Sequence, residues 1–167
     1  MSTKLWGGRF DMPTNKLVES YNATIMLEQR LCSFDIQGSI AHATMLGRQG
    51  IITQDEANAI IGGLRQVNKE IEEGQFVFDT VDEDIHMAIE RRMTEIIGPV
   101  GGKLHTGRSR NDQTTVDSKM HMRSTIREIQ QDIVHLQKVI ISKAENNINA
   151  IMPGYTHLQT EIGRASC

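Results

Sequence analysis

Ile126-Arg127-Glu128-Ile129-Gln130-Gln131-Asp132-Ile133-Val134-His135-Leu136-Gln137-Lys138-Val139-Ile140-Ile141 lies inside a run from Asp112 to Ile151 that contains neither proline nor glycine. Ile126, Ile129, Ile133, Leu136 and Ile140 are spaced in alternating steps of three and four, the spacing of one face of an α-helix. Ala144, Ile148 and Ile151 continue the seam, and Val134 and Ile141 widen it beyond a two-stranded coiled-coil stripe. A helix of this length would be ~60 Å long, far beyond the usual globular helix. Its apolar seam needs long helices to pack on. None of matching length is evident elsewhere in the chain, so the partners are expected from further sequence, from other subunits, or from both. Pro153-Gly154 is expected to end the helix.

Upstream, shorter amphipathic segments are separated by glycine. From about Asn22 to Leu46, Ile25, Leu31, Phe34 and Ala41 recur at roughly helical intervals, and Gly47 and Gly50 close the segment. Thr53-Gln54-Asp55-Glu56 reads as a capping box, followed by Ala57, Ile60, Ile61, Leu64, Val67 and Ile71 on one stripe up to Gly74. Thr80-Val81-Asp82-Glu83 reads as a second capping box, opening a helix with Ile85, Ile89, Met93 and Ile96 inward and Gly98-Pro99 at its end. A loop is expected from Val100 to about Asn111. The predicted class is all-α: a helical domain over 1–110, the first long helix of a bundle over 111–152, and a turn with an atypical tail over 153–167.

Composition agrees with helix packing. Aromatic residues make up only 4% of the chain while methionine occurs nine times, a mixture poorly suited to a β-sandwich. A net charge of −3 gives no footprint for nucleic acid or an anionic membrane, so an anion site has to be local. No apolar run resembles a signal peptide or a membrane span. Two cysteines, Cys32 and Cys167, make no disulfide framework or metal spacing. A reducing, cytoplasmic compartment is expected.

Three stretches carry chemistry. In Gly101-Gly102-Lys103-Leu104-His105-Thr106-Gly107-Arg108-Ser109-Arg110-Asn111-Asp112, four basic or potentially basic side chains precede a helix N-terminus, where free amides and the macrodipole favour an anion. Arginine and amide donors suit planar carboxylates. The plainer reading is a solvated basic loop that caps the helix. In Pro153-Gly154-Tyr155-Thr156-His157-Leu158-Gln159, His157 on a turn is suited to acid–base work near neutral pH, against the plainer reading of a surface histidine. In Asp82-Glu83-Asp84-Ile85-His86, the helix dipole accounts for most of the acidity. The residues lack a calcium-loop pattern, so no metal is expected, and His86 is placed either partly buried or facing a cleft. Phosphate-loop, dinucleotide, zincin and nucleophile-elbow patterns are absent.

Together with Leu5-Trp6-Gly7-Gly8-Arg9-Phe10 and Tyr21-Asn22-Ala23-Thr24, these stretches make the chain resemble the argininosuccinate lyase family of the fumarase/aspartase superfamily, in matching order and over almost its whole length. The resemblance implies reversible β-elimination of argininosuccinate to arginine and fumarate without a cofactor, in a homotetramer whose sites combine segments of different subunits. It implies His157 as the catalytic acid or base. Asn111 and Thr156 are implied as substrate-binding residues, with Ser109 and Arg110 beside them and Thr24 at a position where relatives often carry serine. Asp84 and His86 are weaker candidates for the cleft wall. After Gln159 the chain departs from the family pattern, and the family's serine loop, its histidine-polarising glutamate and most of the bundle lie beyond this sequence. The chain is therefore expected to be an N-terminal portion, inactive and unable to form the tetramer by itself. Two other readings stay open: a structural relative of the delta-crystallin kind, and a helical interaction module that uses the seam from Ile126 to Ile151.

Overall fold

The computed structural model of the chain describes residues 15–79, 82–151 and 154–160. They fall into two compact units that divide between Ser124 and Thr125. The class is all-α, as expected.

In the first unit, α1 (Lys16–Asn22) is capped by the Asn15 side chain, and α2 (Ile25–Glu28) is a single turn. A 3₁₀ turn, Gln29–Leu31, runs directly into α3 (Cys32–Arg48). The expected stripe is corrected here. Ile25 is buried and Leu31 packs against the core, but Ala41 is exposed and Phe34 only half-buried. The inward face of α3 is instead Cys32, Asp35, Ile36, Ser39, Ala43 and Leu46. Residues in a 3₁₀ turn advance by about 120° rather than 100°, so three of them shift the phase of the following helix by roughly 60°. Two polar residues, Asp35 and Ser39, thereby enter the interior.

The Thr53 capping box is present: the Glu56 amide donates to Thr53 Oγ1 at 3.2 Å and the Thr53 amide to Glu56 Oε2 at 3.0 Å. It opens α4 (Gln54–Glu72), whose Ala57, Ile60, Leu64 and Val67 are fully buried. Gly74, at φ +68°, takes the left-handed conformation that stops the helix. The second capping box is corrected. Thr80 and Val81 lie outside the described residues, and α5 (Ile85–Ile97) begins after Asp84, whose side chain accepts from the Met87 amide at 2.6 Å. Glu83 sits at φ +64°, a left-handed residue that cannot be the third residue of a right-handed helix. Ile85, Ile89 and Met93 point inward, but Ile96 is exposed and Ile97 packs on the core in its place. Arg92 fastens α5 to α4 through two bonds to Glu70, at 2.8 and 3.0 Å.

The expected loop after α5 is partly ordered. Pro99–His105 form a 3₁₀ segment, and Leu104 drops into the core. α6 (Arg110–Asn146) then runs for 37 residues, about 55 Å. It starts one residue before the expected 111 and ends six before the expected 152. The Asn147 side chain donates to the Lys143 carbonyl at 2.8 Å, competing for a carbonyl that would otherwise continue the helix. Ile148 and Ile151 therefore lie beyond the helix and are exposed.

In the second unit, Ile126, Ile129, Ile133, Leu136 and Ile140 are each about half exposed, so the seam is unpartnered among the described residues. Pro153 lies outside them. β1 (Tyr155–Thr156) and β2 (Gln159–Thr160) pair antiparallel, Tyr155 opposite Thr160 and Thr156 opposite Gln159. This short hairpin was not anticipated, and it leaves the class unchanged. No helix is long and apolar enough to cross a membrane among the described residues.

Two adjacent glycines of α4 test the packing. A Cβ at Gly62 would meet nothing within 4 Å, whereas one at Gly63 would lie 2.9 Å from Ile97 Cγ2 and 3.0 Å from Met93 Cγ. Gly62→Ala should stabilise the chain by about 0.5–1 kcal/mol in urea unfolding through lost backbone freedom. Gly63→Ala should destabilise it by about 1–3 kcal/mol through overpacking. Equal effects would contradict the α4–α5 packing.

Candidate functional site

The segment from Lys103 into α6 is shaped by backbone bonds before any ligand is considered. Gly107 turns at φ +64°, and the Arg108 amide bonds the His105 carbonyl at 3.2 Å. Ser109 then caps α6, its Oγ accepting from the Asn111 amide at 3.3 Å while its carbonyl accepts from the Gln113 amide at 3.1 Å. Ser109 and Asn111 are exposed and Arg110 is half-buried. A helix of this length presents free amides and a partial positive charge at this end.

The four cationic side chains are less free than their density in sequence suggests. Lys103 Nζ bonds Glu56 Oε1. His105 Nδ1 lies 3.7 Å from Glu90 Oε2. Arg108 is nearly buried, donates to Ser39 Oγ at 2.8 Å and lies 3.7 Å from Asp35 Oδ1. It is an internal anchor. Arg110 differs. Its Nη1 donates to Gln113 Oε1 at 2.6 Å, while Nε stands 3.5 Å from Asp84 Oδ2 and Nη2 3.9 Å from Glu90 Oε2, too distant for strong hydrogen bonds. Its charge is thus only loosely matched, and unlike Arg108 its side chain is partly exposed.

Behind the loop lies a buried polar cluster that sequence reading missed. Asp35 of α3, His86 of α5 and Asp117 of α6 are all at most 2% exposed. His86 Nδ1 lies 3.1 Å from Asp35 Oδ1 and 3.5 Å from Asp117 Oδ2, and the buried Gln113 donates to Asp35 through Nε2. Burial opposes ionisation of Asp35, but the His86 imidazole, the Gln113 amide and Arg108 outweigh it and hold the carboxyl below its usual range. Burial likewise opposes the charge on His86, yet Asp35 prevails and raises it. Asp117 has no such donors: both oxygens are buried without a hydrogen bond among the described residues. Burial and then the charge of Asp35 push it up to about 7. Burial also raises Glu90.

The implied substrate residues are placed as follows. Thr24 is exposed at the start of α2, its amide bonding the Glu83 carbonyl at 2.9 Å, which sets it beside the Asp84 cap to which Arg110 reaches. Ser109, Arg110 and Asn111 share one turn. His86 is not on an open wall: it is 2% exposed and faces the two aspartates. Thr156 and His157 belong to the second unit and are exposed. His157 and Leu158 form the hairpin turn at φ +51° and +62°, a type I′ geometry that side chains other than Gly or Asn adopt at a cost. Asp35 and Asp117 left one faint sequence signal. Asp35 and Ser39, and again Gln113 and Asp117, are polar pairs four apart, and such pairs share one helix face. Which face turns inward depends on packing.

Asp35, His86 and Asp117 bring one donor atom each within 4.8 Å of one another, a set able to hold a divalent cation. Against that, Asp35 Oδ1 already faces Gln113, His86 and Arg108, which place positive charge and a donor where a cation would bind.

A family model described as Lyase matches residues 8–161. The argininosuccinate lyase of Syntrophotalea carbinolica is 52% identical over 160 residues, 96% of this chain and 35% of that protein. That of Heliobacterium mobile is 54% identical over 159 residues, 95% of this chain and 35% of that protein. That of Streptococcus uberis is 48% identical over 156 residues, 93% of this chain and 34% of that protein. The chain thus spans about a third of the length of the curated relatives it matches.

The cluster sets the sign of the pH dependence. Asp117, Glu90 and His86 all hold protons more tightly folded than unfolded, so their contribution is present at low pH and lost as pH rises through the folded values. Asp35 acts oppositely, but only below its ordinary range near 3.8. His42, lowered mainly by burial, opposes the trend just below 6.5. Three groups against one predict a melting temperature that falls between pH 5 and pH 8, by about 2–4 °C for each ~1 kcal/mol of net loss. Asp117→Asn should remove most of the fall. A melting temperature that rises over this range would contradict the cluster.

Proposed function

Because the chain belongs to the lyase family, we propose that it is the N-terminal portion of an enzyme that splits argininosuccinate into arginine and fumarate by β-elimination. The supporting observation is the Ser109–Asn111 turn: a serine hydroxyl, an asparagine amide, a loosely matched arginine and a helix N-terminus all meet in three residues. In such an elimination a base removes the proton beside a succinyl carboxylate, and negative charge spreads into that carboxylate. The carbon–nitrogen bond then breaks, with a general acid protonating the departing guanidino nitrogen. Donors fixed in advance around the carboxylate stabilise the charge as it develops. Ser109, Arg110 and Asn111 take that role in this reading, with Thr24 and Thr156 as further substrate contacts.

His157 supplies the acid or base, on a turn with left-handed backbone that leaves the residue exposed. No cofactor enters this reaction. The exposed seam from Ile126 to Ile141 is read as the surface on which other helices of a cytoplasmic homotetramer pack, because a lone helix with that much apolar face is unstable in water. The chain alone then has no turnover.

Fumarate release, followed by ultraviolet absorbance, tests the reading. The isolated chain should show none. The same chain extended to the length of its relatives should turn over argininosuccinate, and His157→Asn or Asn111→Leu should lower kcat at least 100-fold, the scale of losing an acid–base group or a charge-stabilising donor. Turnover by the isolated chain, or indifference to both substitutions, would contradict it.

A further inference from the structure

Gln113 joins the buried cluster to the surface turn, and its chemistry permits only one orientation. A side-chain amide has a donor end and an acceptor end. Its Nε2 faces Asp35 Oδ1, and its Oε1 faces Arg110 Nη1 at 2.6 Å. An ionised carboxylate only accepts and a guanidinium only donates, so turning the amide over would break both bonds. Asp35 stays ionised in a fully buried place because His86 lies 3.1 Å and Arg108 3.7 Å from its Oδ1. Gln113 is itself 5% exposed, which leaves its side chain little freedom.

The consequence falls on Arg110. Gln113 holds Nη1 with a neutral oxygen and so fixes the guanidinium plane without neutralising its charge. The opposite edge, Nε and Nη2, makes no hydrogen bond among the described residues, and it faces Asp84 and Glu90 at 3.5 and 3.9 Å. Asp84 spends its other oxygen on the Met87 amide, and burial favours the neutral form of Glu90. The Nε–Nη2 edge of a guanidinium matches the two oxygens of a planar carboxylate.

We propose that Gln113, oriented by Asp35, is a positioning residue that holds Arg110 by Nη1 and presents its Nε–Nη2 edge to one carboxylate of a small dicarboxylate. The proposal rests on reading Ser109–Asn111 as a carboxylate-binding turn. It goes further in assigning a role to a buried residue that never touches the ligand. On binding, the ligand replaces the long contacts to Asp84 and Glu90, and the bond from Nη1 to Gln113 persists.

Fumarate is the probe, and the whole chain is the sample. In ¹⁵N NMR, rotation of the Arg110 guanidinium about its Nε–Cζ bond should be slow in the free chain, and millimolar fumarate should shift the Arg110 Nε signal. Gln113→Met, of similar volume but lacking both polar ends, should free the rotation and weaken fumarate about 10-fold, the scale of one charge-assisted hydrogen bond. Arg110→Lys should weaken it to a similar degree, and the double variant should bind no worse than either single one. Additive losses would overturn the proposal. So would free rotation in the wild-type chain, which needs no variant to fold, or the absence of any fumarate shift at Arg110. Slow rotation with fumarate binding, but no turnover by the extended protein, would leave the positioning role standing and remove the lyase reading alone.

Discussion

The carboxylate of Asp35 is the fixed point of the first unit. It projects from α3 and is met by His86 from α5, Arg108 from the turn before α6 and Gln113 from α6 itself. A buried charge is stable only when the groups around it compensate for its lost hydration. Here every compensating group comes from a different part of the chain. Satisfying one carboxylate therefore fixes where the beginning of a 37-residue helix meets the α3–α5 core. Removing one partner of such a group typically costs about 3–5 kcal/mol, a large part of the stability of a small domain.

The same arrangement explains why the loop ahead of α6 carries so much positive charge in so acidic a chain. Most of that charge is paired within the chain. Lys103 and Arg108 tie the segment to Glu56, Ser39 and Asp35, and His105 leans on Glu90. Beyond those pairs the loop offers a short turn with one loosely matched guanidinium, a hydroxyl and an amide. Asp117 is the imbalance in the cluster: a second carboxylate facing a histidine already claimed by the first. Its raised proton affinity follows from that geometry, and it ties the packing of α6 to pH.

Much of this was legible in the residues. The Thr53 box, the inward stripes of α4 and α5, and the long helix all follow from local periodicity and capping. Local rules failed where the chain changed phase. The 3₁₀ turn at Gln29–Leu31 rotated α3 and brought Asp35 and Ser39 inward in place of Ala41. The left-handed Glu83 moved the start of α5 to the Asp84 cap. Asn147 ended α6 ahead of the expected proline. In the candidate site, Ser109, Arg110 and Asn111 stood out because basic residues and glycines cluster there. Asp35, Gln113 and Asp117 did not, because their meaning comes from contacts 31 to 78 positions apart in the chain, and no spacing rule relates residues so far apart.

Amide hydrogen exchange over the second and third turns of α6 tests the dependence on Asp35 most directly. With Asp35→Asn, the amides from Thr114 to Lys119 should lose protection and exchange as readily as a fraying helix end, while those of α4 around Leu64 stay protected. Unchanged protection from Thr114 to Lys119, with the rest of the fold intact, would show that α6 is held by something other than the buried carboxylate.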